Sequence, residues 1–305
     1  MKLLVILPGA IGDFILTLPS IAWLKQRLKP SLLEIWTERA TLPLATTVGY
    51  ADRAVALADT GLDRWPTPET VIDRLKQFDK VLSWRGAGHE EWRREMCREL
   101  PHIHFLSGFP STLEVHAMDF RRQQVESLFG ADKSFPSFPQ IRISLPEMKF
   151  AQEYLAGELA GPLPIVVVHP GASGPRKRWR ADYFSRLISQ LIDRSQHVLL
   201  CEGPLDAETV DEVVSGLPDA KAARLLRRIR VDNLLRLAAV VQHCCLYIGN
   251  DSGIGHLSAA TGVATLSIFT ATDPGVWAPR GPRVRVLVRP GVDNVLEEVH
   301  DMSRN

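Results

Sequence analysis

Along this chain, short runs of Val, Ile and Leu repeatedly stop at a glycine-bearing turn and give way to helical periodicity. Leu3 to Leu7 meets Pro8-Gly9-Ala10-Ile11-Gly12-Asp13, and Ile165 to His169 meets Pro170-Gly171-Ala172. His197 to Cys201 meets Glu202-Gly203, and Leu246 to Gly249 meets Asn250-Asp251-Ser252-Gly253. A continuous apolar run of this length is a strand buried on both faces, and a parallel sheet wrapped by helices is the arrangement that buries both. Further strands are expected over Leu32 to Trp36, Lys80 to Trp84, Ile103 to Leu106, Ala264 to Phe269 and Val284 to Val288. Helical stripes are expected over Phe14 to Leu28, Pro68 to Phe78, Val115 to Phe129, Glu147 to Leu159, Ala181 to Asp193, Asp206 to Ser215, Val231 to Val240 and Gly255 to Ala260. Pro19 falls early in the first of these, so its first turn is expected to be distorted. Strand–helix alternation kept up through the chain predicts an α/β fold.

A length of 305 residues predicts two domains. The stretch 131–164 carries Pro136, Pro139 and Pro146 and ends in Gly161-Pro162-Leu163-Pro164, the composition of a linker. On this reading residues 1–160 form an N-terminal Rossmann-like domain and 161–290 a C-terminal one. Residues 291–305, helical from Asn294 to Met302, pack on either. Ligands of such sheets sit beyond the carboxyl ends of the strands, so the expected site is a central cleft faced by both parallel sheets.

The 36 basic and 35 acidic residues leave a net charge of +1, so no global field argues for nucleic acid and any anion site must be local. Cys97, Cys201, Cys244 and Cys245 lack metal-finger spacing and read as buried, reduced thiols. No His/Cys/Asp cluster has metal-ligand spacing, and no metal is expected. The first apolar run, broken at Pro8, is too short for a signal peptide, and no apolar stretch is long enough to span a bilayer. A cytoplasmic protein is expected, with peripheral membrane contact left open.

The segment Tyr247 to Leu257 carries the sharpest local chemistry. A buried strand stops at small polar residues and a helix starts, with Asp251 or Ser252 as its N-cap. Unpaired N–H groups at the positive end of that helix suit a phosphate, against the plainer reading of an ordinary connection. Gly9-Ala10-Ile11-Gly12-Asp13 lacks the third glycine of the dinucleotide fingerprint and the Gly-Lys-Ser/Thr of a Walker loop. Asp13 opens a helix there and reads first as a cap, second as a general base. After His169, Arg176-Lys177-Arg178 follow a strand end, where Lys177 suits a pyrophosphate and Trp179 the core. At the next strand end Glu202, Asp206 and Glu208 compete for a ribose diol. Thr270 to Pro279 follows another strand end and is expected to line the same cleft.

Taken together, these pieces resemble glycosyltransferase family 9, the heptosyltransferase family. The resemblance rests on Gly12-Asp13 with Leu18-Pro19, on His169-Pro170-Gly171-Ala172 with Lys177-Arg178-Trp179, on Asn250-Asp251-Ser252-Gly253 with His256-Leu257, and on Thr272-Asp273-Pro274 with Trp277-Ala278-Pro279. It implies a GT-B architecture. It also implies inverting, metal-independent transfer of a sugar, heptose in the family, from a nucleoside-diphosphate donor such as ADP-heptose to a lipopolysaccharide core or related glycan. The nucleotide sugar is then a substrate, and no cofactor is implied. The partners implied are that donor and a glycolipid or oligosaccharide acceptor, at the cytoplasmic face of the inner membrane.

By position, Asp13 resembles the family's catalytic base and Lys177 its phosphate-contacting lysine. Asp251, Ser252, Gly253 and His256 match the donor turn. Gly171, Ala172, Glu202, Glu208 and Thr270 complete the expected donor set, with Glu208 loosely aligned to a ribose-binding glutamate. Arg180 stands where the family usually has proline. The region Asp59 to Asp73 lacks the basic cluster with which some members bind acceptor phosphates. On the acceptor side, Gly12, Arg85 in Trp84-Arg85-Gly86-Ala87-Gly88-His89, and His116 are the candidates. The arginines of Trp92-Arg93-Arg94 and Arg121-Arg122 are further candidates, ranked below Arg85 because exposed arginines on helices are usually plain surface. A non-catalytic nucleotide-sugar or glycan-binding relative and a GT-B nucleotide-sugar epimerase are the alternatives.

Overall fold

A computed structural model describes residues 1–47, 49–64, 66–86, 89–110, 114–159, 163–218 and 225–304. Ala87, Gly88, Gly161 and Pro162, named above, lie outside that set. The chain divides into two compact units, Met1–Pro139 and Gln140–Asn305.

The first unit holds β1 (Lys2–Leu7), β2 (Leu32–Thr37), β3 (Arg53–Ala56), β4 (Lys80–Ser83) and β5 (Ile103–Phe105), all parallel, in the order β3-β2-β1-β4-β5. The second holds β6 (Ile165–His169), β7 (His197–Cys201), β8 (Leu226–Ile229), β9 (Leu246–Asn250), β10 (Ala264–Phe269) and β11 (Val284–Val288), also parallel, in the order β11-β10-β9-β6-β7-β8. Both sheets start in the middle, wind to one edge, cross back and wind to the other, which is the Rossmann order. The winding reverses between β1 and β4 in one unit and between β6 and β9 in the other, and a crevice forms at such a reversal.

Burial explains how the helices join these strands in a core. In the Ala181–Asp193 helix, Phe184, Leu187, Ile188 and Leu191 recur at helical spacing, and each is 0% exposed. They pack against Val166, Val168, Val198 and Leu200 on one face of the second sheet. Each such side chain contributes about 1.5–3 kcal/mol on leaving water. The terminal helix, Val292–Arg304, adds Val292, Val295, Val299 and Met302 to the same core, so it belongs to the second unit.

The differences from the sequence reading have physical causes. The first helix begins at Ile11, so Pro19 stands in its interior and not in its first turn. The edge strands β3 and β8 were not expected, because edge positions are half solvated; Arg53, Arg227 and Arg228 interrupt the apolar signal. The helix Glu90–Glu99 was missed for the same reason, since it buries only Trp92 and Met96. The Leu145–Glu158 helix, placed above in the first domain, lies in the second unit. It packs on the Leu234–Gln242 helix, with the Arg236 guanidinium 4.7 Å above the Phe150 ring. Of the four cysteines only Cys201 and Cys244 are buried; Cys97 and Cys245 are exposed. No helix among the described residues is long and apolar enough to cross a membrane.

Candidate active site

In the second unit the winding reversal falls at the ends of β6 and β9, whose residues His169 and Gly249 lie opposite each other. Ser252 caps the Gly253–Ala260 helix, its side chain accepting from the Gly255 N–H at 3.4 Å. The first N–H groups of that helix have no partner within it and carry its positive end. Asp251 and Ser252 were both candidates for the cap; Asp251 is instead 4% exposed and turned to a cation. Lys177 Nζ lies 2.7 Å from Asp251 Oδ2, which also accepts from the Thr272 hydroxyl at 2.6 Å. Lys177 ends a single helical turn, Pro175–Lys177, that Thr270 fastens to the end of β10 by donating its hydroxyl to the Arg176 carbonyl at 2.7 Å.

Asn250 braces the two turns against each other. It accepts from the Trp179 N–H at 2.9 Å and donates to the Pro170 carbonyl at 2.7 Å. Trp179 is core, 4% exposed, with its indole N–H on the Pro290 carbonyl at 3.0 Å. Gly171 is buried and Ala172 partly exposed beside them, and His256 is buried in the helix itself, 5% exposed. Below the turn lie the buried rings of His169 and Tyr247 and the carboxylate of Asp206.

The three competing acids separate. The Glu202 side chain is 1% exposed and ion-paired with both Arg228 and Arg230. The Arg228 hydrogen bond outweighs burial and, with Arg230, holds that carboxyl below its ordinary range. Both Glu202 oxygens are thus engaged by arginines and nearly closed to solvent, a structural pairing where a donor contact was expected. Asp206 is committed to His169 and to the Gly203 N–H. Glu208, in the first turn of the Ala207–Ser215 helix, is exposed.

In the first unit, Gly12 is buried and Asp13 partly exposed in the first turn of the Ile11–Leu28 helix, immediately after β1. Asp13 Oδ2 accepts from the Ala10 N–H at 3.3 Å, so the cap reading is correct in part. Its other oxygen accepts from Arg121 Nη2 at 3.0 Å. Arg121 is not surface. It is 1% exposed, also donates to the Gly108 carbonyl at 3.1 Å, and is buried deeply enough to lower its pKa, with Asp13 working against that. An arginine held so far from water needs a carboxylate, and Asp13 is that carboxylate.

Arg85, with Trp84, Arg64, Asp63 and His89, lines a 670 Å³ cavity at the ends of β1 and β4. Trp84 is 5% exposed there, and its indole N–H has no partner among the described residues. Arg64 was not singled out in the sequence. His116 is 8% exposed, and its Nδ1 caps the Ala117–Phe129 helix by accepting from the Met118 N–H at 3.2 Å. Nδ1 is thereby taken up by the cap of its own helix.

The family model described as glycosyltransferase family 9 (heptosyltransferase) matches residues 114–298. The chain belongs to glycosyltransferase family 9. It is therefore an enzyme, a glycosyltransferase, and the non-catalytic alternative lapses. Among curated relatives of this family member, lipopolysaccharide heptosyltransferase 3 of Escherichia coli strain K12 is 25% identical, covering 88% of this chain and 82% of its own. Among solved structures, the ADP-heptose LPS heptosyltransferase II of E. coli superposes with a TM-score of 0.80 at 19% identity, covering 100% of this chain and 99% of the other. A glycosyltransferase family 9 protein from Veillonella parvula superposes with a TM-score of 0.84 at 18% identity, covering 99% and 97%. At these identities the superpositions establish the fold, the GT-B type with two parallel-sheet units.

Proposed function

We propose that this family 9 enzyme moves heptose from ADP-heptose to a lipopolysaccharide core sugar by inverting displacement, with Asp13 as general base. The observation that carries the donor half is the Lys177–Asp251 pair beside the Ser252 cap at the winding reversal of the second sheet. A nucleoside diphosphate brings two phosphates to that turn. Lys177 and the free N–H groups then meet the charge that builds on the leaving pyrophosphate, as preorganised donors do. Glu208, exposed and unpaired among the described residues, is the carboxylate available to the ribose.

The acceptor half rests on Asp13 and the 670 Å³ cavity. Arg121 fixes one oxygen of Asp13 and leaves the carboxylate partly exposed, 16% by side chain, to take a proton from an acceptor hydroxyl. Arg85 and Arg64 offer cations to a phosphate or carboxylate on the acceptor sugar. Such acceptors are presented at the cytoplasmic face of the inner membrane, where the enzyme makes peripheral contact. ADP-heptose incubated with a core acceptor lacking its outer heptoses tests the reading by mass spectrometry of the glycan and by ADP release. A mass gain of one heptose with equimolar ADP is expected. Isomerised sugar without transfer would point to an epimerase, and transfer from UDP- or GDP-sugars in preference would replace the donor.

A further inference from the structure

The donor reading gives no role to His169, whose ring is 3% exposed beneath the phosphate turn. The ring is held at both nitrogens. Nε2 lies 3.1 Å from Asp206 Oδ2, and Nδ1 lies 3.2 Å from Ser252 Oγ. The Tyr247 hydroxyl is 3.3 Å from Nδ1 and 3.4 Å from Ser252 Oγ. Asp206 is 8% exposed and Tyr247 0%, so Ser252, partly exposed, is the member of this cluster that opens to the turn.

Two glycines are required for the cluster to exist. A Cβ on Gly171 would overlap the Asp206 carboxyl, and one on Gly249 would overlap the Tyr247 hydroxyl and come within 2.8 Å of the His169 carbonyl. Proton positions follow from the partners. Burial opposes ionisation of Asp206, but the hydrogen bond and charge of His169, with the Gly203 N–H, hold its carboxyl below the ordinary value. Nε2 therefore carries a proton towards it. Burial pushes the Tyr247 phenol up, so it stays protonated. Ser252 Oγ already accepts from the Gly255 N–H.

We propose that His169, backed by Asp206, is a positioning residue that makes Ser252 a hydrogen-bond donor to the leaving pyrophosphate; the proposal rests on the donor-site reading above. In that arrangement the ring donates from both nitrogens, with the Asp206 carboxylate accepting at Nε2. The ring's Nδ1–H is then offered to the Tyr247 oxygen, whose own proton goes to Ser252 Oγ, and the one proton left on the Ser252 hydroxyl points outward. A ring accepting at Nδ1 would take the Tyr247 proton and leave the Tyr247 oxygen to draw the Ser252 proton inward.

The test is calorimetric titration of ADP, UDP and GDP into the wild type, then of the tightest binder into variants whose thermal unfolding is measured alongside. His169→Asn places an N–H where Nδ1 sits, whereas His169→Gln reaches Asp206 and leaves Ser252 unsupported. The Gln variant is expected to bind about 10-fold more weakly, the loss of one hydrogen bond, and the Asn variant within about threefold of wild type. Adding Ser252→Ala to His169→Gln should cost little more, because both act through one hydroxyl. Equal losses in the two His169 variants, or full additivity, would mean that the ring only supports the fold. Unchanged binding by His169→Gln overturns the inference alone. A wild type that binds none of the three nucleotides removes the donor reading and this inference together.

Discussion

Replacing Lys177 by Ala probes the donor site in two independent ways. In the free protein the ammonium is 2.7 Å from Asp251, whose side chain is 5% exposed against 30% for Lys177. Removing it leaves Asp251 with the Thr272 hydroxyl as its remaining side-chain partner. A hydrogen bond to a charged group contributes about 1.5–3 kcal/mol. Water reaches the vacated side of Lys177, so the lower end applies, about 1–2 kcal/mol, or a melting temperature lower by about 2–8 °C. The ligand effect is larger. At about 4 Å, opposite unit charges gain about 1 kcal/mol in water and about 4 at the effective dielectric of a protein surface. The substitution also unmasks the Asp251 carboxylate, which repels the incoming phosphate. Together about 2–4 kcal/mol is lost, so ADP should bind roughly 30- to 1000-fold more weakly. Asp251→Asn in the Lys177→Ala background should restore part of both quantities. Calorimetric titration and thermal unfolding read the two effects separately. ADP affinity within twofold of wild type would remove Lys177 from the donor site, and a lowered melting temperature with that result would leave the pair purely structural.

Other perturbations separate base, support and fold. Asp13→Ala should reduce turnover by about 10²–10⁴-fold with ADP affinity unchanged; near-normal turnover would reduce Asp13 to a cap. Arg121→Lys, which shortens the reach to Asp13 and Gly108, should lower kcat without raising the donor KM, and a rise in donor KM alone would contradict that role. Glu202→Gln should destabilise the protein by about 1–3 kcal/mol at pH 7. The Glu202 carboxyl is held below its ordinary value of 4.5. Its contribution is therefore present above that value and is lost as pH falls through the lowered one. Wild type and Glu202→Gln should accordingly converge in melting temperature on acidification below about pH 4 and differ most at neutrality; a constant gap would refute the ion-pair account.

Arg121 shows where the sequence was legible and misread. In the Ala117–Phe129 helix the buried positions are Ala117, Met118, Arg121 and Val125. Met118, Arg121 and Val125 share one stripe, so the arginine sits where the period calls for an apolar residue. An arginine in a core stripe requires a buried acid, and that signal was available. The roles of Glu202 and His116 were not legible in this way. Glu202 is claimed by Arg228 on β8, a short edge strand whose own sequence hides it, and by Arg230 just beyond that strand, and His116 is a cap whose Nδ1 is used locally.

The sequence by itself determined the α/β architecture, the central strands and the turns that bear Asp13, Lys177, Asp251 and Ser252. Strands buried on both faces and glycine-bearing βα turns leave local, periodic marks. Tertiary structure alone decided what each polar side chain does. The pairings Asp13–Arg121, Lys177–Asp251 and His169–Asp206 join residues far apart in the chain. Such pairs leave no periodic trace, because an ion pair or a buried hydrogen bond depends on distance and desolvation, which exist only once the sheet order has brought the strand ends together.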